Sequence, residues 1–255
     1  MEKGLKGILN KLNVKNSRHW FEDLLEKGFL SQEKPPQPKD YFYAGSAGQC
    51  PRAVQASMQA KLPYIPMQFK TRKNFEYGNC AHDRYQNAIK LIDPSAKSEV
   101  IIRFSIHGVS ISGRADLVMN SPMSGQIVIE FKTMGGTEFK SLKEAKFEHI
   151  CQLMIYLHHL NLKMGLIIYE NKDEKNSAII PELKIFEVTY DDVIFESIIA
   201  DFIAIDKATK EGSIAHRFTP CPNKYCELKC DEKEKLNIFP LENPIASTDA
   251  VNEPF

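Results

Sequence analysis

Three ionisable side chains lie in two segments that are otherwise strongly apolar. Asp116 belongs to the segment SGRADLVM, and Glu130 and Lys132 belong to the segment IVIEFK. Two carboxylates at close range repel each other unless a cation lies between them, and their hard oxygens suit Mg²⁺ or Mn²⁺. A lysine beside them can orient a metal-bound water or stabilise charge that develops on a phosphate. The pattern fits an exposed hairpin with an ordinary Glu–Lys pair equally well, so both interpretations stay open at this point.

Two strands joined by a turn would bring these side chains together. The β-branched and aromatic content of both segments predicts strands, and the residues between them, which include Pro122 and Gly125, favour a turn. Side chains alternate along a strand, so Glu130 and Lys132 share one face. The antiparallel hairpin that results places Asp116 opposite Glu130.

A polar stripe follows the hairpin on a predicted helix at 141–162. Apolar residues recur there with helical spacing, and Gln152 and Tyr156 lie one turn apart on a neighbouring stripe that also carries His149 and His159. Glu and Lys are the commoner residues on a solvated helix flank. This stripe therefore favours a lined site over a plain solvated flank.

A histidine lies in a second predicted helix, at 73–92. His82 follows Gly78 by four residues, and Tyr77 and Tyr85 are close to it in the sequence. A lone histidine is more often a packed or surface residue than a metal ligand. This residue alone therefore predicts no site.

The cysteines suggest a separate metal site. Three of the six lie close together near the C-terminus in a C-x4-C-x3-C pattern, at Cys221, Cys226 and Cys230, and Cys50 lies far upstream. Clustered thiols in an intracellular protein usually bind a metal, and four soft thiolates select zinc or an iron–sulfur cluster. The alternative is three thiols without a metal. The other two cysteines, Cys80 and Cys151, lie in apolar helical segments and are expected to be buried.

Composition narrows the classes of function. The 255 residues include 33 basic and 33 acidic side chains, so the net charge is zero. Bulk electrostatic attraction to nucleic acid is therefore excluded, and such a partner must be held by local patches. No apolar run approaches membrane-spanning length, and the first residues lack a signal-peptide pattern. We expect a cytoplasmic protein that does not act at a membrane and whose cysteines do not form disulfides.

The pattern of elements predicts a mixed α/β (α+β) fold with a central mixed sheet flanked by helices. The predicted strands are 99–106, 110–119, 126–132, 166–170 and 183–188, and the predicted helices include 50–61, 73–92, 141–162 and 190–210. Three regions follow: an N-terminal helical segment with a proline-rich connector at 1–45, a main domain at 46–232, and a flexible tail at 233–255.

Six motifs in chain order resemble those of the RecB-like branch of the PD-(D/E)XK nucleases. Within that branch, the chain is most similar to the iron–sulfur exonucleases, which include the CRISPR-associated Cas-four exonucleases and the AddB nuclease domain. The resemblance covers Ser46 to Cys230. The motifs are S-x-x-x-C-P-R ending at Arg52, Gly78-x-x-x-His82, Gly113-Arg114-Ala115-Asp116, Glu130-Phe131-Lys132, Gln152-x-x-x-Tyr156 and the three-cysteine cluster.

The resemblance implies a restriction-endonuclease-like core and a role for each matching residue. His82, Asp116, Glu130 and the Phe131 carbonyl would ligate Mg²⁺ or Mn²⁺, and Lys132 would be the catalytic lysine. The chain departs from the superfamily pattern at Ala115, where the namesake motif has proline.

Two further sets of residues follow from the same resemblance. The first would contact DNA: Gln152 and Tyr156 near the metal, and Arg52 at a phosphate. The second would hold a [4Fe–4S] cluster that staples an N- and C-terminal helical subdomain: Cys50, Cys221, Cys226 and Cys230. The cysteine spacing departs from the C-x2-C-x5-C pattern, so zinc is the alternative metal.

The implied activity is that of a metal-dependent DNA nuclease. We expect an exonuclease on single-stranded DNA or DNA ends that hydrolyses phosphodiester bonds in recombination, repair or end-processing. Single strands are favoured because their bases can stack on tyrosines without a large basic surface. Two alternatives stay open: a subunit that acts with protein partners in a CRISPR-adaptation or recombination complex, and a non-catalytic DNA-binding module with a structural metal site. The intact Asp116, Glu130 and Lys132 set favours an enzyme over the last of these.

Overall fold

The computed structural model describes residues 20–62, 64–174, 179–218, 221, 226, 228 and 230. The predicted tail at 233–255 lies outside the described residues. The helices and strands in chain order are α1 (Trp20–Ser31), β1 (Phe42–Tyr43), α2 (Pro51–Met58), α3 (Phe69–Ile92), β2 (Lys97–Ile106), β3 (Val109–Ser121), β4 (Gly125–Met134), α4 (Gly136–Ser141), α5 (Phe147–Leu160), β5 (Met164–Asn171), β6 (Leu183–Thr189) and α6 (Asp192–Lys210). A short 3₁₀ helix at Ala44–Ser46 follows β1.

Six strands form one mixed sheet. Strands β1, β3, β4, β5 and β6 are successive neighbours, and β2 pairs with the other edge of β3. The β1–β3 and β4–β5 pairs are parallel, and the other pairs are antiparallel. One edge of β3 is shared, because β1 pairs with it at Ile111 and Ser112 and β4 pairs with it from Leu117 to Ser121. Between these two partners, residues 113–116 have no strand beside them on that edge among the described strands.

Apolar side chains cover both faces of the sheet. On one face, helices α5 and α6 pack against strand residues such as Val128, and the buried aromatic rings there include Phe195 and Phe202. On the other face, Leu117 and Phe131 belong to a second cluster, against which α3 packs with Tyr85 and Ile89. Full burial of an apolar side chain of this size contributes about 1.5–3 kcal/mol. The strands that carry the ionisable residues are therefore fixed from both sides.

The predicted fold class is confirmed. The chain has a mixed sheet flanked by helices, and its order α3–β2–β3–β4–α5–β5 is consistent with a restriction-endonuclease-like core. Each predicted strand is present, with ends that differ from the prediction by at most two residues.

One predicted helix, 141–162, begins six residues too early. The segment 141–162 is not continuous, because α4 ends at Ser141 and α5 begins only at Phe147. Lys146, the residue before α5, has an extended backbone with ψ of 138°. A residue distant in sequence stabilises the end of α4, where the break begins. Lys184 Nζ donates to the carbonyl oxygens of Phe139 at 2.7 Å and Leu142 at 2.6 Å.

The chain divides into two compact units. One comprises Met1–Pro36 with Tyr64–Gln68, and the other comprises Gln37–Pro63 with Phe69–Phe255. The sheet lies in the second unit. This division does not test the predicted boundaries after residues 45 and 232, which stay predictions. Within the described residues, no helix is both long enough and apolar enough to cross a membrane.

Candidate active site

The site forms where the β3–β4 ladder ends. The last paired residues are Leu117 and Ile129, so Asp116 and Glu130 are the next residues on each strand. The Asp116 carboxylate takes the place of the missing backbone partner, because Phe131 N donates to its Oδ2 at 2.8 Å. Asp116 and Glu130 are both buried, with 7% and 2% of their surfaces exposed. The hairpin predicted from the sequence therefore brings two carboxylates into the sheet interior.

Glu130 uses only one of its two carboxylate oxygens. Its Oε1 accepts hydrogen bonds from Lys132 Nζ at 2.7 Å and Gln152 Nε2 at 2.8 Å. Its Oε2 is buried and is the one side-chain atom of that kind left without a partner in the described part of the chain. An unpaired buried acceptor costs free energy, so such an atom calls for an explanation. A cation supplies one.

The raised pKa of Glu130 is consistent with a site that binds a cation. Burial, together with the neighbouring Asp116 charge, raises the pKa of this carboxyl to about 7 against the opposing attraction of Lys132. The His82 imidazole lowers the pKa of Glu130, as Lys132 does. In the absence of a cation, Glu130 is therefore partly protonated near neutral pH.

A chain of hydrogen bonds links helix α5 to the strands. Gln152 accepts from Lys132 Nζ at 3.2 Å and donates to the Tyr156 hydroxyl at 2.8 Å. The Tyr156 hydroxyl in turn donates to the Arg114 carbonyl oxygen at 3.1 Å, in the gap between β1 and β4. Only 2% of Tyr156 is exposed, so its ring offers no face for a base to stack on. Its position fixes Gln152, while contact of either residue with DNA stays a prediction.

A glycine makes this arrangement possible. A Cβ atom on Gly113 would lie 2.8 Å from Tyr156 Cε1 and 2.8 Å from Ala44 Cβ. These distances are shorter than any normal contact, so the Tyr156 ring can approach β3 only where no side chain is present. The glycine of the Gly-Arg-Ala-Asp motif therefore has a packing role.

Helix α3 brings His82 to the carboxylates. Its Nδ1 lies 3.4 Å from Asp116 Oδ1, the carboxylate oxygen that the Phe131 amide does not use. Burial by itself lowers the pKa of His82, but the hydrogen bond and charge of Asp116, with the Glu130 charge, outweigh it and raise the pKa above its usual value. The histidine that sequence spacing alone left undecided lies at the site.

A buried glutamate holds α3 in place. Glu170 on β5 is 2% exposed and accepts from Arg84 Nη2 at 2.9 Å and 2.8 Å, from the Tyr77 hydroxyl at 2.7 Å and from the Tyr85 hydroxyl. Of the 24 residues of α3, all of them described, only Ala81 and Gln86 are buried. Polar contacts with Glu170 therefore contribute much of what positions His82.

The sequence analysis missed Glu99. One ligand atom each from His82, Glu99 and Asp116 lies within 4.8 Å of the others, and they form the one such group of three in the described part of the chain. A signal exists in the sequence. Glu99 lies eight residues before His107 and Asp116 lies eight residues after Gly108, so a two-residue turn at His107–Gly108 places them opposite each other.

None of the described cysteines belongs to this group. Cys50, Cys221 and Cys226 are half-buried and Cys230 is buried, and their sulfurs do not form a group of three within 4.8 Å among the described residues. The iron–sulfur cluster therefore stays a prediction. Of the two remaining cysteines, Cys151 is buried as predicted, but Cys80 is exposed because α3 presents most of its surface to solvent.

Arg52 lies beside the segment that leads to the C-terminal cysteines. Its backbone N donates to the His216 carbonyl oxygen at 3.0 Å, and its Nε donates to the Ala215 carbonyl oxygen at 3.2 Å. The proposed contact of Arg52 with a phosphate stays a prediction.

Comparison with known proteins gives only distant structural similarities. No family model and no curated protein matches the chain. Among solved structures, the protein SSO0001 is similar with 21% identity and a TM-score of 0.47, over 75% of this chain and 88% of that one. An alkaline exonuclease from Laribacter hongkongensis has 14% identity and a TM-score of 0.45, over 83% of this chain and 99% of that one. A phage-related exonuclease from Haemophilus somnus has 13% identity and a TM-score of 0.37, over 55% and 74%. We draw no functional conclusion from similarities of this size.

Proposed function

We propose that the chain is a divalent-metal-dependent deoxyribonuclease, an exonuclease that acts on single-stranded DNA or DNA ends. One observation carries this proposal: two buried carboxylates, Asp116 and Glu130, lie at opposite positions of neighbouring strands. Glu130 Oε2 has no partner, and the Lys132 ammonium lies 2.7 Å from Glu130 Oε1. Such an arrangement is costly in an ordinary core and is suited to hydrolysis at a cation.

The residues present fit a divalent cation. Its ligands would be Asp116 Oδ1, Glu130 Oε2, the Phe131 carbonyl oxygen and His82. The N–H and C=O of one strand residue point toward the same neighbour, so the Phe131 carbonyl faces the gap into which its N–H donates. Mg²⁺ or Mn²⁺ bound there would act as a Lewis acid and lower the pKa of a bound water.

The chain's own residues account for the other requirements of hydrolysis. Lys132 is held by Glu130 and Gln152, so its ammonium is fixed beside the carboxylates and can orient a water or neutralise charge on a phosphate oxygen. The water oxygen would attack phosphorus, the bond from phosphorus to the leaving sugar oxygen would break, and that oxygen would take up a proton. The products are a terminal phosphate and a hydroxyl.

Single-stranded DNA is the proposed substrate because the chain has zero net charge and offers aromatic surfaces near the site. Tyr77, on the helix that carries His82, is 36% exposed. Gln152 would hold the strand near the metal, with Tyr156 positioning it, and Arg52 would contact a phosphate. A cytoplasmic location and protein partners from a recombination or adaptation complex are further parts of this proposal.

A second metal centre at Cys50, Cys221, Cys226 and Cys230 is also proposed, as a [4Fe–4S] cluster with zinc as the alternative. The contacts of Arg52 support it, since they bring residues 215 and 216 to the start of α2, directly after Cys50. Cys221 follows His216 by five residues, over which an extended chain spans at most roughly 18 Å. Iron and sulfide in near-equal amounts after anaerobic purification would support the iron–sulfur cluster. A colourless protein that contains one zinc would show that zinc occupies the site instead.

The function is tested with DNA strands labelled at the 5′ or the 3′ end, single or paired, incubated with Mg²⁺, Mn²⁺ or EDTA. We expect metal-dependent release of label, faster from single strands, and a loss of roughly two to three orders of magnitude in Asp116→Asn and Lys132→Ala. Asp206→Asn on α6 is the control, since that aspartate pairs with Lys210 on the same helix. Undiminished cleavage in both site variants, or no cleavage of any strand, would overturn the proposal.

A further inference from the structure

Glu99 has a backbone conformation that is rare for its residue type. Its φ is +56°, in the left-handed region, within a strand whose neighbouring residues pair regularly: Ser98 with Leu117 and Val100 with Ala115. Non-glycine residues seldom occupy this region, and they persist there when surrounding contacts hold them. The regular ladder is interrupted at this point, because Glu99 and Asp116 are opposite in the register but do not form one of its pairs.

Two side chains hold the Glu99 carboxylate. Gln86 Nε2 donates to Oε1 at 2.7 Å, and Arg114 Nε lies 2.5 Å from Oε2. The same Gln86 amide donates to the Asp116 carbonyl oxygen at 3.0 Å, and Gln86 is only 4% exposed. A buried amide therefore links the position of the Glu99 carboxylate to that of Asp116. Hydrogen bonds from neighbouring residues orient metal-ligating carboxylates in this way.

The ion pair alone does not account for this arrangement. The Arg114 side chain is 67% exposed and that of Glu99 is 38% exposed, and ion pairs so accessible to water contribute little to stability. A weak surface pair gives no reason for a strained glutamate beside a buried carboxylate.

We propose that Glu99 is a ligand of the divalent cation, together with His82 and Asp116. The ligand atoms of these three residues lie within 4.8 Å of one another, on the α3 side of Asp116. Glu130, which interacts electrostatically with both His82 and Asp116, has a buried and unpartnered Oε2, and this is an independent sign that a cation belongs beside the group. This inference rests on the proposed function, and it adds a negative charge and an oxygen donor that the sequence motifs do not include.

The test measures Mn²⁺ binding to the full chain by isothermal titration calorimetry, with no DNA present. Glu99→Gln keeps the size of the side chain and removes its charge, and we expect its Kd to rise at least about tenfold. Glu99→Gly removes the carboxylate at a position where glycine has no strain, and the same rise is expected. Glu187→Gln, on exposed β6 surface, is the matched control and should bind as the wild type does. Circular dichroism and thermal unfolding without metal establish that each variant is folded.

Arg114→Gln distinguishes two roles of Glu99, that of a metal ligand and that of a structural partner of Arg114. It leaves the Glu99 carboxylate held by Gln86 and removes a cation that competes with the metal for Oε2, so the variant should bind Mn²⁺ as tightly as the wild type or more tightly. A purely structural pair would instead make Arg114→Gln and Glu99→Gln behave alike. A wild-type Kd in Glu99→Gln, in a protein that still cleaves DNA, overturns the inference and leaves the function standing. A wild-type chain that binds Mn²⁺ through Glu99 but cleaves no DNA keeps the inference and overturns the function.

Discussion

Gln152 on helix α5 donates a hydrogen bond to Glu130 on β4 at 2.8 Å and accepts one from Lys132 at 3.2 Å. Gln152, which its motif predicts to contact DNA, thus forms hydrogen bonds with both Glu130 and Lys132. It fixes Glu130 Oε1 and leaves Oε2 to face a cation. In the proposed site, the helix is therefore part of the metal-binding geometry as well as of the surface that would contact DNA.

Gln152→Ala should lower both activity and Mn²⁺ affinity. Loss of the amide removes one of two donors to Glu130 Oε1 and one acceptor of Lys132, so both side chains gain freedom. Loss of a residue that orients metal ligands typically costs roughly 10–100-fold in affinity or activity. Gln126→Ala, at an exposed position of the same strand β4, is the control. Unchanged Mn²⁺ affinity in Gln152→Ala would show that the contact with Glu130 does not matter for metal binding.

Tyr156→Phe should separate positioning from packing. The ring stays in place beside Gly113, but Gln152 and the Arg114 carbonyl each lose a partner. The lost hydrogen bonds should lower the free energy of unfolding by about 1 kcal/mol, and nuclease activity should fall by roughly tenfold.

Tyr190→Phe is a matched control for this change. The Tyr190 hydroxyl lies 2.9 Å from His158 Nδ1 and is not part of the hydrogen-bond chain from Tyr156 to Glu130, so its loss should affect stability without affecting activity. Equal loss of activity in the two variants, measured with saturating DNA, would mean that Tyr156 acts through stability alone.

Glu130→Gln should stabilise the metal-free protein at alkaline pH while abolishing cleavage. The folded-state pKa of about 7 lies above the ordinary value of 4.5, so the folded state binds the extra proton between these values. The stability that this proton confers is present below pH 4.5 and is lost as pH rises through 7. A shift of this size corresponds to a few kcal/mol, about 3 at most.

The measurement is thermal unfolding in EDTA from pH 5 to pH 8.5. The wild type should lose stability relative to Glu130→Gln across this range, and saturating Mn²⁺ should reverse the order because the cation stabilises the ionised carboxylate. Parallel pH profiles in EDTA would show that Glu130 does not titrate near neutrality. Asp206→Asn, which changes a half-buried carboxylate on α6, should follow the wild type.

The sequence allowed the hairpin to be predicted because its signals are local. Alternation along β4 places Glu130 and Lys132 on one face, and the turn that includes Gly125 sets the register that ends beside Asp116. The register of the β2–β3 hairpin also places Glu99 opposite Asp116, but the left-handed backbone of Glu99 leaves no mark in the sequence pattern.

The other differences arise from contacts between distant parts of the chain. The break before α5 depends on Lys184, which belongs to a strand about forty residues downstream. The burial of Tyr156 depends on Gly113, whose missing side chain leaves room for the ring. Neither contact leaves a periodic pattern in the sequence from which it could be predicted.

Glu170 is a buried carboxylate that belongs to none of the motifs. It accepts from Arg84, Tyr77 and Tyr85 and so holds the helix that carries His82. Glu170→Gln replaces one acceptor oxygen with an amide that faces the Arg84 guanidinium. Truncating one partner of a fully buried ion pair costs about 3–5 kcal/mol. Since Arg84 is 52% exposed and can be solvated, we expect a smaller loss, about 1–2 kcal/mol.

Its effect on metal binding should pass through His82. Asp116, Glu130 and Lys132 lie on strands packed from both faces, so a shift of α3 should move His82 and leave them in place. A double-mutant cycle tests this relation, since coupled residues give non-additive effects. Glu170→Gln should weaken Mn²⁺ binding several-fold in the wild-type background and have no further effect in His82→Ala, with Glu187→Gln as the control in both. Additive losses in the double variant would mean that Glu170 affects the site by another route, and an unchanged Kd in the single variant would show that this anchor does not position the histidine.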